Sequence, residues 1–249
     1  MRITYVIGYR HSLDRIINLR KVLDWLSGFS NMDIIIVEQD THTKIKYLNL
    51  NAKHIFIKSD QPYNRSWAFN VALKRNRNPI IVFGDSDIIM DPEQFIESIN
   101  NLQNFDVVSP YSSVLDLTPE ESNYPFQSLS QIQRPGRGEA DNQKINLCGG
   151  IVLFRAEAAT RIGGWCEEFI GWGGEDDFQT HKVKNLGLTF KEMPYKCFHL
   201  WHPRGVSNQA YYQRTLQLLD QLMKLDQNKL QMHVNATIGK IGQVNKYAY

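Results

Sequence analysis

The chain has 249 residues, of which 42% are hydrophobic and 22% are charged, as expected for one large soluble domain with a core of normal size. Its 28 basic and 26 acidic residues give a formal net charge of +2. This balance argues against nucleic acid as the main partner, because that task needs a strongly basic face. Three cysteines without a CxxC spacing argue against a disulfide framework or a cysteine zinc site.

The same features indicate a location. Unpaired thiols fit a reducing compartment. The apolar run at the start of the sequence is too short for a signal peptide or a membrane span. We therefore expect a cytoplasmic protein without an integral membrane segment.

The first hundred residues alternate between short apolar runs and helically spaced apolar residues. In chain order they predict strand 3–8, helix 13–26, strand 33–37, strand 53–58, helix 64–74 and strand 79–84. This alternation predicts an α/β fold with a mostly parallel sheet and helices on both faces. Ligands bind such a sheet at the carboxyl ends of its strands.

The second half of the chain is less regular. Residues 109–146 are polar and contain four prolines, and because so long a loop is usually functional, we assign it to the acceptor side or to a lid. The later patterns predict strand 147–155, helices 156–162 and 175–185, strand 195–198, a long last helix capped by Ser207, and a tail from residue 240 that frays or packs late. We expect a single domain over residues 1–249, with a nucleotide-binding half (1–108), an acceptor and catalytic half (109–206) and a C-terminal helix and tail (207–249).

The first chemical motif is Asp85-Ser86-Asp87, directly after a four-residue apolar run. Two carboxylates two residues apart at a strand end can both reach one divalent cation, which prefers oxygen ligands and often bridges to phosphates. The alternative is a polar turn that ends the strand, since a three-residue match is weak. Because the motif lies at a strand end, the metal-binding interpretation and the polar-turn interpretation are about equally well supported.

The second motif, residues 171–177, joins glycines and a tryptophan to the acids Glu175, Asp176 and Asp177. Glycine lets the backbone pass close to a ligand. Acids at a helix N-terminus are stabilised by the dipole, by ~0.3–1 kcal/mol each, but one or two would meet that need. Clustered carboxylates raise one another's pKa, so that one can act as a general base near neutral pH. We favour a shaped pocket over a purely structural helix start.

The third motif is a pair of histidines, His199 and His202, after a predicted strand. They can add imidazole nitrogens to a metal that carboxylates already hold, and such a mixed set suits Mn²⁺ better than Mg²⁺. The alternative is one buried and one exposed histidine that bind nothing, because short histidine pairs are common.

A basic and amide set lies near the N-terminal strands. Arginine forks match phosphates, although a solvated helix charge is favoured for Arg15. The members of the set are Arg10, Arg15, Asn64, Arg65 and Asn70.

Taken in this order, these segments resemble the GT-A glycosyltransferases, above all the β-1,4-galactosyltransferase family and the related galactosaminyltransferase and chondroitin-polymerase domains. The resemblance spans about residues 3–204 and is most specific from Trp172 to Asp177. The matching segments are Tyr9-Arg10, Tyr63 to Val71, Asp85-Ser86-Asp87, Cys148-Gly149-Gly150-Ile151 and Gly164 to Asp177.

The resemblance implies a GT-A, Rossmann-like fold and an inverting, metal-dependent transfer of a hexose or N-acetylhexosamine from a UDP-sugar to a saccharide or other hydroxyl acceptor. It implies Mn²⁺, with Mg²⁺ as the alternative, bound by Asp87 and His202, and His199 as a further ligand. Asp176 is implied as the general base, with Glu175 orienting hydroxyl groups. By strand-end position or by the resemblance, the expected donor contacts are Tyr9, Arg10, Glu38, Asn64, Arg65, Asn70, Asp85, Ser86, Gly150, Trp172 and Gly174.

The chain departs from the family in several respects. The membrane anchor, stem and luminal disulfides of the family are missing from the sequence. Leu147 stands where galactose-specific members carry tyrosine, and the resemblance then implies room for an N-acetyl group on the donor.

Two other classes of protein stay open. A metal-dependent nucleotidyltransferase also uses carboxylates at strand ends, but it usually shows a glycine-rich basic loop near the first strand, which this sequence lacks. A non-catalytic carbohydrate-binding protein would keep the pocket without turnover.

Overall fold

The computed structural model of the chain describes residues 2–46, 48, 50–139, 145–203 and 209–246. The strands in chain order are β1 (Ile3–Tyr9), β2 (Met32–Asp40), β3 (Lys53–Lys58), β4 (Ile80–Gly84), β5 (Ile88–Met90), β6 (Val107–Ser109), β7 (Ser113–Asp116), β8 (Val152–Arg155), β9 (Phe190–Glu192) and β10 (Lys196–His199). The helices are α1 (Leu13–Leu26), α2 (Arg65–Leu73), α3 (Pro92–Asn101), α4 (Phe126–Leu129), α5 (Ala156–Arg161), α6 (Glu175–Asn185), α7 (Gln209–Met223) and α8 (Gln227–Thr237).

A seven-stranded sheet in the order β3-β2-β1-β4-β8-β6-β9 forms the centre of the fold. Strands β3, β2, β1 and β4 run parallel to one another, and β6 runs parallel to β9. Strand β8 runs antiparallel to both β4 and β6. The predicted α/β fold with a mostly parallel sheet is thereby confirmed, and the reversal at β8 is a feature that the sequence pattern did not indicate.

A second sheet of three short strands has the order β5-β10-β7. Residues 85–87 join β4 of the large sheet to β5 of the small one. In β10, His199 is in register with Ile88 of β5 and with Asp116 of β7. The small sheet therefore brings the end of the chain's last strand to the carboxyl end of β4.

Two apolar clusters cover the two faces of the large sheet. Along β1, Tyr5 and Ile7 belong to one cluster and Val6 to the other, as the two-residue period of a strand requires. Helix α1 contributes to the first cluster and α2 to the second. Both faces of the central strands are thus buried, and the helices lie on both sides of the sheet as predicted.

Helix α2 is enclosed by the rest of the domain, because every residue from Arg65 to Leu73 is buried. Its N-cap is Asn64, whose side chain accepts a hydrogen bond from Trp67 N at 2.9 Å. On its other side the helix meets the segment around Trp165, whose backbone N–H and C=O both bond the side chain of Asn70. The start of α2 is therefore fixed rigidly against the sheet.

The C-terminal tail closes over α2 through one buried carboxylate. Glu167, 4% exposed, accepts hydrogen bonds from Asn70 Nδ2 at 2.8 Å, Gly242 N at 2.6 Å and Lys246 Nζ at 2.8 Å. Residues 241–246 are therefore packed onto the domain, and this part of the predicted tail does not fray. Ser207, the predicted cap of the last helix, lies outside the described residues.

Two other predicted elements differ in length. The strand predicted over residues 147–155 is confined to β8, because the chain turns at Gly150, whose φ is +62°, a conformation that favours glycine. The predicted last helix is divided into α7 and α8, since Asp226 starts a new helix by accepting from Lys229 N at 2.9 Å. Asp and Asn are strong N-caps, and here the cap outweighs the continuous apolar spacing.

Within the described ranges, none of the helices combines the length and apolar composition needed to cross a membrane. The three cysteines are free thiols, with Cys148 and Cys197 buried and Cys166 partly exposed.

Replacing Glu167 by glutamine is expected to loosen the tail. The amide removes the charge that pairs with Lys246 and brings a donor into a site where three donors already meet, so the free energy of unfolding should fall by about 1–3 kcal/mol. For a chain of this size that corresponds to about 2–4 °C in Tm per kcal/mol. Thermal denaturation in the presence of a metal chelator measures this change in Tm. The matched control is Glu168→Gln, the same substitution at the exposed neighbouring residue. Equal Tm values for the two variants would contradict this role of Glu167.

Candidate active site

Arg65 stands at the centre of a cluster of carboxylates at the carboxyl edge of the large sheet. It is the first residue of α2 and is 8% exposed. Its Nε donates to Asp85 Oδ1 at 2.7 Å, and its Nη1 donates to Asp176 Oδ1 and lies 4.0 Å from Glu175 Oε1. One guanidinium thus joins the segment after β4 to the first turn of α6.

The guanidinium is also held from its other sides. Nη2 donates to Gly150 O at 3.2 Å, and Cζ lies 4.7 Å from the ring centroid of Phe69 and 5.1 Å from that of Trp165. Aromatic faces attract a cation and leave its in-plane donors free for carboxylates. The position of Arg65 is therefore determined by packing as well as by charge.

The cluster carries more negative than positive charge, because one guanidinium faces three carboxylates. Burial raises the pKa of Asp176 to about 8, and the charges of Glu175 and Asp85 add to that effect while Arg65 opposes it. Burial also raises the pKa of Glu175. A carboxylate that binds protons near neutral pH is suited to general-base chemistry.

A second group, Asp87, His199 and His202, gathers beside the first. One ligand atom from each lies within 4.8 Å of those from the other two. The Nε2 of His199 is 3.8 Å from Asp87 Oδ1, and the Nε2 of His202 is 3.4 Å from Asp87 Oδ2. Burial raises the pKa of Asp87, and the charges of the two histidines oppose it.

Both imidazoles present the same nitrogen to Asp87. The Nδ1 of His199 bonds Asp116 Oδ1 at 2.8 Å, and the Nδ1 of His202 bonds the carbonyl of Pro203 at 3.0 Å. Carbonyl and carboxylate oxygens only accept, so each Nδ1 carries a proton, and the neutral form of each ring has its lone pair on Nε2. This is how proteins orient metal-binding histidines.

Asp116 is itself fixed by a paired arginine. Arg137 donates from Nε to Asp116 Oδ2 at 2.7 Å and from Nη2 to Asp116 Oδ1 at 3.0 Å. The hydrogen bonds from His199 and Arg137 lower the pKa of Asp116 to about 2. Burial by itself lowers the pKa of His199, but Asp116 and Asp87 together reverse that effect and raise it.

These donors fit a divalent transition metal. Mg²⁺ prefers ligands that are all oxygen, whereas Mn²⁺ also binds imidazole nitrogen. A set of one carboxylate oxygen and two imidazole nitrogens therefore suits Mn²⁺ better than Mg²⁺. The fit rests on both Nε2 atoms being turned toward Asp87 by their Nδ1 partners.

The loop before α6 carries an exposed tryptophan between glycines. Trp172 is 69% exposed and stacks on Tyr212 of α7, with 5.4 Å between ring centroids. Gly173 and Gly174 have φ values of +103° and +87°, and a Cβ on Gly174 would lie 2.7 Å from the Phe169 ring. Any residue other than glycine would therefore strain the backbone at this turn.

Three of the predicted donor contacts sit at the ends of β1 and β2, and their polar atoms bond within the protein. Tyr9 Oη lies 3.0 Å from His11 Nδ1, and Arg10 Nη1 donates to Gln61 O at 2.6 Å. Glu38 is fully buried. The donors to its carboxylate are Thr43 Oγ1, Lys44 N and His54 Nε2.

Two further predicted contacts, Asn64 and Asn70, are buried inside the protein. Asn64 caps α2 and donates to Glu167 O at 2.8 Å, and Asn70 bonds Trp165 and Glu167. Both amides hold the frame behind Arg65. The structure thus brings together Arg65, Asp85, Asp87, Gly150, Glu175, Asp176, His199 and His202, with Ser86 buried between the two aspartates.

Comparison with known proteins extends this geometry. The family model described as the N-terminal domain of galactosyltransferase matches residues 139–203, the stretch that contains Glu175, Asp176, His199 and His202. No curated protein sequence matches the chain significantly.

Solved structures share the fold at low sequence identity. A Drosophila β-1,4-galactosyltransferase 7 mutant in complex with manganese, UDP-Gal and xylobiose is 14% identical, with 86% of this chain and 80% of that chain covered and a TM-score of 0.54. A Pyrobaculum calidifontis mannosyltransferase in complex with GDP-Man and Mn²⁺ is 14% identical, with 97% and 70% covered and a TM-score of 0.58. Residues 1–349 of S. aureus TarS are 13% identical, with 98% and 72% covered and a TM-score of 0.58.

The chain has the GT-A glycosyltransferase fold. The resemblance predicted from the sequence is confirmed, and the family segment together with the fold supports a sugar-transferring enzyme.

Sequence reasoning missed several residues that shape this GT-A site. Asp116 and Arg137 lie in the polar segment 109–146, where no spacing marks them. Tyr111 is in the same segment, and its hydroxyl donates to Gly149 O at 2.8 Å and accepts from Ile151 N at 2.9 Å, which fixes the turn beside Arg65. Arg15, interpreted as a solvated charge, lies close enough to lower the pKa of Asp87 against the effect of burial.

Replacing Asp176 by asparagine is expected to stabilise the metal-free protein as pH rises. The folded pKa of about 8 exceeds the unfolded value of about 3.9. The stability that the Asp176 carboxyl contributes is therefore fully present below its pKa in the unfolded state. This contribution is lost as the pH rises through its pKa in the folded state. The Tm difference between variant and wild type should grow between about pH 4 and about pH 8, as measured by thermal denaturation in chelator. A difference that shrinks with pH would show that pairing with Arg65 dominates.

Proposed function

We propose that the protein is an inverting, metal-dependent glycosyltransferase that moves a hexose or an N-acetylhexosamine from a UDP-sugar to a hydroxyl of a saccharide or similar acceptor. One observation carries the proposal. A pair of aspartates after β4 faces two different groups, Asp85 toward Arg65 and Asp176, and Asp87 toward His199 and His202. The proposed base and the proposed metal site are therefore adjacent.

Asp87, His199 and His202 are proposed to hold Mn²⁺. A bound divalent cation neutralises the charge that grows on a departing diphosphate. The chain's own part is to keep both Nε2 atoms turned toward Asp87, which Asp116 and Pro203 do through the Nδ1 atoms. Manganese accompanies a nucleotide-sugar in the similar galactosyltransferase and mannosyltransferase structures.

Asp176 is proposed as the base that removes the proton from the attacking hydroxyl. Its raised pKa means that it accepts a proton readily at neutral pH, and Arg65 holds one of its oxygens in place. Glu175, beside it on α6, is proposed to orient acceptor or donor hydroxyls. With one base and a direct attack, the bond forms opposite the leaving UDP, so an α-linked donor yields a β-linked product.

The donor is proposed to lie between the carboxyl ends of β1 and β4 and the loop of Trp172. Tyr9, Arg10, Ser86, Gly150 and Gly174 border this region, and Arg15 adds a positive charge suited to a diphosphate. Leu147 is 1% exposed in the core, so it offers the donor sugar little surface. We place the enzyme in the cytoplasm, in keeping with its free thiols.

A panel of UDP-sugars tests the proposal. The purified chain is incubated with UDP-galactose, UDP-glucose and their N-acetyl forms, with saccharide acceptors and Mn²⁺, and released UDP is measured. We expect acceptor-dependent UDP release that excess EDTA abolishes and Mn²⁺ restores. Pyrophosphate release from UTP would instead indicate a nucleotidyltransferase. Saccharide binding without turnover would indicate a binding protein, and turnover in EDTA would remove the metal from the scheme.

Replacing Asp176 by asparagine should remove the base while leaving the fold intact. Turnover is expected to fall by about 10²–10⁴-fold, whereas the affinity for UDP, measured by calorimetry, should stay close to wild type because the metal group is untouched. The wild-type rate should rise with pH as the base loses its proton, with the midpoint of the rise near its pKa of about 8. Full transfer activity in the variant would refute this role for Asp176.

A further inference from the structure

Away from the active site, three side chains that commonly bind metals converge. Cys166 and Glu168 precede the loop of Trp172, and His233 lies on α8. One ligand atom from each (a thiol sulfur, a carboxylate oxygen and a ring nitrogen) lies within 4.8 Å of those from the other two. Cys166 and His233 are partly buried, and Glu168 is exposed and free to turn. We refer to these three residues as the C-terminal trio.

The trio opens onto a cavity of about 200 Å³ whose lining includes Phe178 and Lys182 of α6. The rings of His233 and Phe178 are almost perpendicular, with 5.8 Å between their centroids. Asp176 and Phe178 are two positions apart on α6, which places them on opposite faces of the helix. The trio is therefore separated from the active site by α6.

Three lysines, Lys182, Lys240 and Lys246, line the cavity beside the trio, and two of them donate hydrogen bonds to other groups of the protein. Lys182 Nζ donates to the carbonyls of Ile162 and Gly164, and Lys246 Nζ donates to Glu167.

We propose that Cys166, Glu168 and His233 form a zinc site that joins α8 to the segment preceding the Trp172 loop. Thiolate, imidazole and carboxylate are the three side-chain ligands of Zn²⁺ in proteins, and three of them leave a fourth tetrahedral position for water. Bond lengths of about 2.0–2.3 Å require the ligand atoms to approach one another slightly, which the exposed Glu168 side chain allows.

Binding is a simple exchange of a proton for a metal. The Cys166 thiol releases its proton to solvent, the sulfur lone pair forms the bond to Zn²⁺, and no group is oxidised or reduced. The trio contributes two negative charges when ionised, which balances the charge of the ion. Because the ligands come from two separate elements, the ion stabilises the folded state and restrains the base of the Trp172 loop.

Cobalt spectroscopy tests this site independently of activity. Reduced protein stripped of metal by chelation is titrated with Co²⁺, and a near-ultraviolet charge-transfer band from sulfur to cobalt reports thiolate binding. The active-site group contains no sulfur, so it cannot produce this band. We expect the band to reach full intensity by two equivalents of Co²⁺, because the active-site group can also bind the ion, and to disappear when Zn²⁺ is added.

Variants identify the residues that give rise to the band. Cys166→Ser should abolish it, whereas Cys148→Ser and a His199→Ala/His202→Ala variant should keep it. His233→Gln should weaken Co²⁺ binding at least about tenfold and carries the test if Cys166→Ser fails to fold. Absence of the band in wild type, or its survival in Cys166→Ser, would overturn the proposal, and so would undiminished affinity in His233→Gln.

Discussion

A buried positive charge, the guanidinium of Arg65, determines how the two acidic segments of the site face each other. Removing an arginine from water is costly unless it is paired, and Arg65 meets this requirement with Asp85 on one side and Asp176 on the other. The helix that carries it is buried along its whole length. The strand β4 and the helix α6 are therefore held in a fixed relation by one side chain that neither of them contributes.

In the proposed metal-binding group, hydrogen bonds select the tautomer of each histidine. Asp87 is the shared neighbour of His199 and His202, but it does not orient them. That task falls to Asp116 and to the carbonyl of Pro203, which bond the distal nitrogen of each ring. The strand register that pairs His199 with Asp116 is thus as important to the chemistry as the motif itself.

Much of the large sheet and its helices could be predicted from the sequence, because β1 to β4 are apolar runs, α1 and α2 have capping residues, and α6 begins with three acids after a glycine pair. Of the small sheet only β10 could be predicted, as strand 195–198, since β5 and β7 have three and four residues, too few to show a recognisable period. Among the site residues, Asp87, Asp176 and the histidines belong to short motifs, and their proximity was implied by the resemblance to the GT-A family. Asp116 and Arg137 could not be inferred, because long-range pairing alone gives them their role.

Chain order determines when the site is assembled. The aspartates after β4 precede His199 and His202 by more than a hundred residues, and the two histidines come with β10, a strand of four residues that lies between β5 and β7, and with the residues directly after it. Pairings between segments so distant in sequence form slowly. A nascent chain that ends before β10 therefore carries Asp85 and Asp87 without the nitrogen ligands of the proposed ion.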